Sequence, residues 1–197
     1  MTNEKLNPNW VPQGADCFTW IAMDCSGKLA VMSNNGFGDL PESLLARNDS
    51  EELLNDFSDF LFEESKKYPS NLQKNGLVNL HFYSSWIYRA KNGKNEVLLD
   101  ILNDWRSKGN LANANLSINK GMFVFEALDH GNIPGEFPVG YSRKCENGDY
   151  YKHLSPTILA CIEDIPLPLR EIVVKSDSLD FSRVDLIASG DIRKLFE

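Results

Sequence analysis

The sequence predicts an α+β fold, a single domain in which a mostly antiparallel sheet packs against two amphipathic helices. Two short apolar runs, 18–23 and 29–32, flank a turn and predict a β-hairpin near the start of the chain. Two longer stretches, 49–67 and 95–109, repeat apolar residues at helical spacing. Because these elements do not alternate as βαβ units, the pattern favours α+β over a parallel α/β sheet.

The whole chain of 197 residues is expected to form one globular domain, residues 1–197. An apolar share of 42% and a charged share of 24% are typical of a globular protein of this length, which needs no disulfide framework. Residues 1–15 are expected to form a loose N-terminal segment, because Pro8 and Pro12 interrupt regular structure. The polar start of the chain and the lack of a long apolar run predict a cytoplasmic protein without a membrane span.

A glycine-containing loop, 33–41, follows the predicted hairpin, since Gly36, Gly38 and Pro41 disfavour regular structure there. Glycines after a strand are also found in phosphate-binding turns. The Rossmann fingerprint needs a third glycine at a fixed offset, and the P-loop needs Gly-Lys-Ser or Gly-Lys-Thr. Neither pattern is present, so an ordinary loop is expected.

The first helix has the clearest signals in the chain. Asp49 or Ser50 is a suitable N-cap, and acidic residues follow in the first turn, where the helix dipole favours negative charge. Apolar residues recur at helical spacing at Leu53, Leu54, Phe57, Phe60 and Leu61. Lys66 and Lys67 are expected in the last turn, and Pro69 ends the helix.

The middle of the chain is less uniform. Residues 76–90 fit a strand or a helix, because both periodicities can be traced through them. Residues 95–109 predict the second amphipathic helix, with the final glycine as its C-cap. The Asn-rich stretch 111–120 is expected to be a loop, 122–127 a strand, and 131–138 another loop.

A second hairpin is predicted around Asn147-Gly148, with strands at 141–145 and 150–153, because Asn-Gly favours a tight hairpin turn. In its register Cys145 and His153 leave opposite faces, so they cannot form a nucleophile–base pair within the hairpin. A short strand at 172–175 and a last helix from Ser189 to Phe196, with Ser189 as its cap, complete the expected elements.

No residue is predicted to be catalytic, and no metal or other cofactor is expected. The three histidines, His81, His130 and His153, are far apart in sequence and lack the spacing of metal ligands. Adjacent carboxylates such as Glu163 and Asp164 point about 100° apart on a helix, which does not suit a catalytic pair.

Most of the negative charge lies in the first third of the chain. Residues 1–70 contain 12 Asp and Glu against 5 Lys and Arg, whereas residues 71–197 contain 16 against 15. Four carboxylates follow one face of the first helix: Glu52, Asp56, Asp59 and Glu63. Like charges at this spacing repel, so this acidic stripe is either a solvated face or a docking surface for a basic protein. We predict that these four residues bind a partner.

The overall charge narrows the classes of partner. A net charge of −8 and a pI near 4.9 disfavour direct binding to nucleic acid, because the phosphate backbone would be repelled. The same charge disfavours attachment to anionic membranes. A basic protein is the partner that an acidic surface suits best.

A family resemblance is carried by residues of the first hairpin and its loop, namely Trp20-Ile21-Ala22-Met23-Asp24, Gly27, Ala30, Val31, Asn34 to Gly38 and Pro41. Together they span about 18–45, and they resemble the opening of small immunity proteins that accompany bacterial polymorphic toxins, including contact-dependent growth inhibition systems. The resemblance implies an acidic cytoplasmic protein that binds a toxin domain, often a nuclease, and blocks its active site.

Three functional hypotheses follow. The first is an immunity protein that neutralises a basic toxin domain through its acidic surface. The second is an enzyme of unrecognised type, for which Asp24, Asp39, His130 and His153 are the residues to test. The third is an interaction module that forms a homodimer.

Overall fold

The computed structural model describes residues 6–69, 72–88, 91, 93–129 and 138–197. Within this part of the chain, a mixed seven-stranded sheet and five α-helices share one main hydrophobic core, which confirms the α+β class. The sequence predicts two helices, whereas the described residues contain five. The sheet has two parallel pairings beside four antiparallel ones, so it is less uniformly antiparallel than predicted.

The sheet has the strand order β3-β5-β4-β2-β1-β6, and β7 pairs with the first half of β5. The parallel pairs are β1 with β6 and β2 with β4. The strands are β1 Thr19–Met23, β2 Leu29–Ser33, β3 Val78–Leu80, β4 Phe123–Ala127, β5 Tyr150–Pro156, β6 Val174–Lys175 and β7 Leu186–Ile187.

Several short helices join the two that the sequence predicts. The α-helices are α1 Glu42–Leu45, α2 Ser50–Leu61, α3 Lys94–Lys108, α4 Asn113–Ile118 and α5 Ser189–Leu195. Three 3₁₀ turns cover Gly109–Leu111, Ile162–Asp164 and Leu167–Ile172.

The N-terminal hairpin is confirmed as β1 and β2, with Trp20 paired to Met32. The sequences of both strands are continuous apolar runs because their middle residues are buried on both faces of the sheet. Trp20 is fully buried and packs edge-to-face against Tyr150 and Phe196, with ring centroids 5.7 and 5.2 Å away. Its indole N–H donates to the Tyr150 hydroxyl at 3.2 Å. The hairpin therefore lies at the centre of the core.

The segment before β1 is attached to this core from Leu6 onward. Leu6 and Trp10 are buried, and the Leu6 N–H donates to the Glu51 carboxylate at 2.6 Å. The Arg193 guanidinium donates to the Trp10 carbonyl at 2.5 Å. Trp10 thus holds this segment against the rest of the fold.

Helix α2 begins at Ser50 as predicted but ends at Leu61, earlier than the sequence suggested. The Asp59 carbonyl accepts the N–H groups of Glu64 at 2.8 Å and Ser65 at 3.1 Å, and Glu63 takes a positive φ of 60°. This left-handed residue ends the helix. The two lysines that were expected in the last turn, Lys66 and Lys67, lie outside it.

The ambiguous stretch 76–90 contains strand β3 and then a turn, so the strand interpretation holds for Val78–Leu80. Helix α3 confirms the second amphipathic helix. The loop predicted at 111–120 is wrong, because α4 forms there and packs against β3, β4 and β5. Its Asn side chains bond locally, as when the Asn119 amide donates to the Asn115 oxygen at 2.7 Å. Asn-rich composition therefore did not prevent a buried helix.

The predicted hairpin around Asn147-Gly148 is wrong. No strand forms at 141–145, and the neighbours of β5 are β4, β3 and β7. The turn is closed by the Asp149 N–H donating to the Glu146 carbonyl at 3.1 Å, and only its glycine has a positive φ, 89°. A tight hairpin turn of the Asn-Gly kind needs positive φ at both residues. The predicted register between Cys145 and His153 is therefore absent.

The C-terminal elements are largely as predicted. Strand β6 is shorter than 172–175 and pairs in parallel with β1. Helix α5 is confirmed, but Ser189 is its first residue rather than its cap. The Ser189 N–H donates to the Asp149 carboxylate at 2.8 Å, and its hydroxyl accepts the Asp39 N–H at 3.0 Å. Most of the loop predicted at 131–138 lies outside the described residues.

Candidate functional site

Helix α2 has one buried face and one charged face. Its apolar residues Leu54, Phe57, Phe60 and Leu61 are buried in the core. Glu52 and Asp59 are exposed on the helix, about 10 Å apart along its axis at 1.5 Å per residue. Among the described residues, neither carboxylate has an ion-pair partner. These two side chains are therefore available to a basic partner.

The other two members of the acidic stripe are held in ion pairs. Asp56 lies 2.8 Å from the Lys67 ammonium, which reaches back from beyond the helix. Glu63 lies after the end of α2 and pairs with the Lys120 ammonium at 2.5 Å. The Lys120 side chain is 0% exposed, so this pair is part of the fold. The stripe is thus divided into two exposed carboxylates and two paired ones.

A shallow cleft of about 430 Å³ lies beside the start of α2. It is lined by Leu6 and by residues from Arg47 to Asp56, including Glu51 and Glu52. The Arg47 guanidinium is already paired with Asp49 at 2.9 Å. The carboxylates at this end of the helix are stabilised by the helix dipole, and they extend the acidic surface that begins on the stripe.

Two acidic residues considered for an enzyme have structural contacts. The buried Asp24 carboxylate accepts hydrogen bonds from the hairpin turn and from the Phe181 N–H at 2.8 Å. Asp39 forms a two-pronged ion pair with Arg193, with N–O distances of 2.6 and 3.0 Å. His130 lies outside the described residues, and His153 opens onto a cleft.

The glycines of the loop after β2 serve packing. A Cβ on Gly38 would lie 2.5 Å from the Tyr150 ring, so only glycine fits there. Gly36 has a φ of 77° and accepts the Gly14 N–H on its carbonyl at 2.9 Å. This loop therefore packs against β5 and the N-terminal segment.

A larger polar cleft of about 460 Å³ lies between α3 and the sheet, and we call it the α3 cleft. Its floor carries Glu126 from β4 and His153 from β5. Its walls carry Tyr88 from the turn after β3, and Asp100 and Asp104 from α3. Leu111, Asn113 and Ala114, near the start of α4, also line it, so the cleft joins five separate parts of the chain.

Three polar side chains lie together on this face of the sheet. Glu126 and Tyr151 are paired across β4 and β5, and the Tyr151 hydroxyl donates to Glu126 Oε2 at 2.8 Å. His153 follows two residues later on the same face, with Nε2 3.9 Å from Glu126 Oε1. Its Nδ1 lies 2.8 Å from the Phe82 carbonyl. Since that carbonyl only accepts, Nδ1 carries the proton of the bond.

Carboxylates near the α3 cleft raise the pKa values of two tyrosines, although Lys108 also lines the cleft. Burial, together with the charges of Glu126, Asp100 and Asp104, raises the pKa of Tyr88 to about 12. Burial and the Glu126 carboxylate also raise the pKa of Tyr151 well above its usual value. Tyrosines in such surroundings stay protonated and act as hydrogen-bond donors.

The sequence did not reveal this grouping. The sequence predicts both strands, but pairing between β4 and β5 is non-local, and the local Asn-Gly signal places β5 in the wrong hairpin. The signal that could have found the group is the spacing of Tyr151 and His153, which places both on one face of a strand. Only the observed register adds Glu126 to that face.

Comparisons with known proteins do not assign the chain to a family. No protein-family model matches it, and no curated protein or solved structure matches it significantly. The described residues contain no group of three or more His, Cys, Asp or Glu side chains that could hold a metal ion. In the same part of the chain, no helix is long and apolar enough to cross a membrane.

Proposed function

We propose that this chain is a cytoplasmic immunity protein that binds a basic toxin domain through the exposed face of α2 and neutralises it. The bound protein would cover the toxin's active site. If the toxin is a nuclease, its basic substrate cleft would receive carboxylates in place of phosphates. The partner is a protein; nucleic acid and membrane are not proposed as ligands.

The observation that carries the proposal is the pair of exposed carboxylates, Glu52 and Asp59, on the face of α2 that points away from the core. Neither is neutralised by a cation among the described residues. Complementary charge on a partner would speed association and select against acidic or neutral surfaces. The resemblance of residues 18–45 to immunity proteins supplies the specific form of the proposal.

The experiment is a capture from the native host with tagged protein, run in parallel with two charge-reversed variants. The test variant carries Glu52→Lys and Asp59→Lys. The control variant carries Asp177→Lys and Glu146→Lys, which make the same change in net charge at exposed positions away from α2. We expect the wild type and the control to retain one basic protein in equal amounts, and the test variant to lose it.

A second step connects capture with neutralisation. The captured protein is expressed alone and together with each variant in a heterologous bacterium. Growth arrest that the wild type and the control relieve, and that the test variant does not, supports the immunity function. Capture of only further copies of this chain, or a captured protein that is harmless alone, contradicts it.

A further inference from the structure

The α3 cleft contains a partly buried carboxylate without a Lys or Arg partner among the described residues. The Glu126 side chain is 12% exposed, and no Lys or Arg among the described residues pairs with it. Its Oε2 accepts the Tyr151 hydroxyl, which is a neutral donor. A buried carboxylate is costly unless a cation or several donors compensate for the lost water. No described residue donates a hydrogen bond to Glu126 Oε1, so this oxygen can accept one from a group bound in the cleft.

His153 does not supply the missing donor in this geometry. The ring is 4% exposed, and its Nδ1 proton is directed at the Phe82 carbonyl. The other nitrogen, Nε2, is then an acceptor in the neutral ring. It lies 3.9 Å from Glu126 Oε1, beyond hydrogen-bond distance. Two acceptors thus lie side by side at the floor of the cleft, and a group with several N–H donors can satisfy both.

The charge of Glu126 and an aromatic wall favour a positive charge on that group. Asp100 and Asp104 add carboxylates one helical turn apart, and they are themselves neutralised by Lys91 and Lys108, each at 2.7 Å. The uncompensated charge in the cleft therefore belongs to Glu126. The Tyr88 ring lines the cleft beside these groups, and an aromatic face attracts cations.

The rim of the cleft is apolar. Ile87 and Leu111 line it and are 57% and 52% exposed. A chain of methylene groups would cover these side chains while a charged end reached the floor. The volume of about 460 Å³ lies in the range of small-molecule sites.

We propose that the α3 cleft binds an alkyl cation, a guanidinium or primary ammonium group on an aliphatic chain, between Glu126 and His153. The cation donates to Glu126 Oε1 and to His153 Nε2, and its chain lies along Ile87 and Leu111. The α3 cleft contains no residue of α2, so this inference does not rest on the proposed immunity function.

The test uses butylguanidinium as the probe and butylurea as its neutral counterpart of the same shape. Binding is measured by calorimetry on the full chain. We expect butylguanidinium to bind and butylurea not to bind. The Glu126→Gln variant keeps an acceptor for Tyr151 but removes the charge, and it should weaken binding about 10- to 100-fold. The control variant Glu171→Gln, at an exposed site, should bind like the wild type.

A second measurement on the wild type keeps the proposal testable if Glu126→Gln fails to fold. In a nuclear magnetic resonance titration with butylguanidinium, the ring signals of His153 should shift, whereas those of His81 should not. Equal binding of butylurea, equal binding by a folded Glu126→Gln variant, or no shift at His153 would overturn the proposal.

A further part of the binding experiment distinguishes two sources of such a cation. Agmatine represents a free small amine, and Nα-acetyl-arginine amide represents a basic side chain of a protein. Binding of agmatine alone assigns the cleft to a free metabolite-like cation. Binding of the capped arginine as well assigns it to a basic side chain on a partner. Failure of both, together with butylguanidinium, contradicts the site itself.

Discussion

The Asp24 carboxylate offers a quantitative test of how the N-terminal hairpin is joined to the C-terminal part of the chain. Its Oδ1 accepts three donors from the turn: the Ser26 N–H at 2.9 Å, the Ser26 hydroxyl at 2.8 Å and the Lys28 N–H at 2.9 Å. Its Oδ2 accepts the N–H of the fully buried Phe181 at 2.8 Å. The side chain itself is 0% exposed. This residue therefore has a structural role.

The two substitutions Asp24→Asn and Asp24→Ala separate these contacts. Asparagine keeps Oδ1 for the turn but places an amide donor against the Phe181 N–H. That leaves a buried donor unsatisfied, at a cost of about 1–3 kcal/mol. Alanine removes all four bonds, of which those to Ser26 and Lys28 can be partly replaced by water. For Asp24→Ala we expect the free energy of unfolding to fall by ~4 kcal/mol, which lowers Tm by roughly 8–16 °C at 2–4 °C per kcal/mol.

The assay is urea and thermal unfolding followed by circular dichroism. The control is Asp177→Asn, which makes the same charge change at an exposed position on the same C-terminal loop and should stay within about 0.5 kcal/mol of the wild type. If Asp24→Ala were as stable as this control, the reasoning from buried hydrogen bonds would be refuted. We expect the free energy of unfolding to be lowest for Asp24→Ala, intermediate for Asp24→Asn and highest for the wild type.

Three further predictions concern stability and reactivity. Glu63→Gln should lower the free energy of unfolding by about 1–3 kcal/mol, because the buried Lys120 ammonium loses its ion pair with the Glu63 carboxylate; equal urea midpoints would contradict this. Burial raises the pKa of Cys145 to about 11, so in a thiol-labelling time course read by mass spectrometry it should react far more slowly than the exposed Cys25; equal rates would refute the burial. Burial, followed by the Lys152 charge, lowers the pKa of His81 to about 4. The unfolded chain then binds the proton more readily, so stability present above about pH 6.5 is lost as the pH falls toward 4. Between pH 7 and 4.5, the free energy of unfolding measured in urea should fall by about 1–2 kcal/mol more for the wild type than for His81→Gln. Equal falls for the two proteins would contradict a lowered pKa of His81.

Local signals in the sequence predicted the elements that depend on nearby residues. The first hairpin, α3 and the start of α2 follow from apolar spacing and from the residues at their ends. The end of α2 could not be predicted, because it depends on Glu63 adopting a positive φ. That conformation accompanies the contact with Lys120, which is distant in sequence. A local pattern carries no information about such a contact.

The second predicted hairpin shows how a strong local signal can be overridden. Asn147-Gly148 forms a turn, but the segment before it does not pair with β5, because β4, β3 and β7 take up the edges of that strand. The Gly148 N–H instead donates to the Leu128 carbonyl at 2.8 Å. The same non-local pairing produces the floor of the α3 cleft. In contrast, spacing alone correctly placed Glu52, Asp56 and Asp59 on one helix. The prediction was wrong for Glu63, which lies after the helix ends. The ion pairs of Asp56 and Glu63 could not be read from spacing.

The most direct test of the proposed function is the association rate of the captured basic partner, measured by stopped flow at low and high salt. The proposal predicts that Glu52→Lys with Asp59→Lys slows association at least about tenfold at low salt and flattens its salt dependence, since surface charge steers encounter. The control, Asp177→Lys with Glu146→Lys, should keep most of the wild-type rate. Identical association rates and identical salt dependence for the wild type and the α2 variant would contradict the proposal that this face binds the partner.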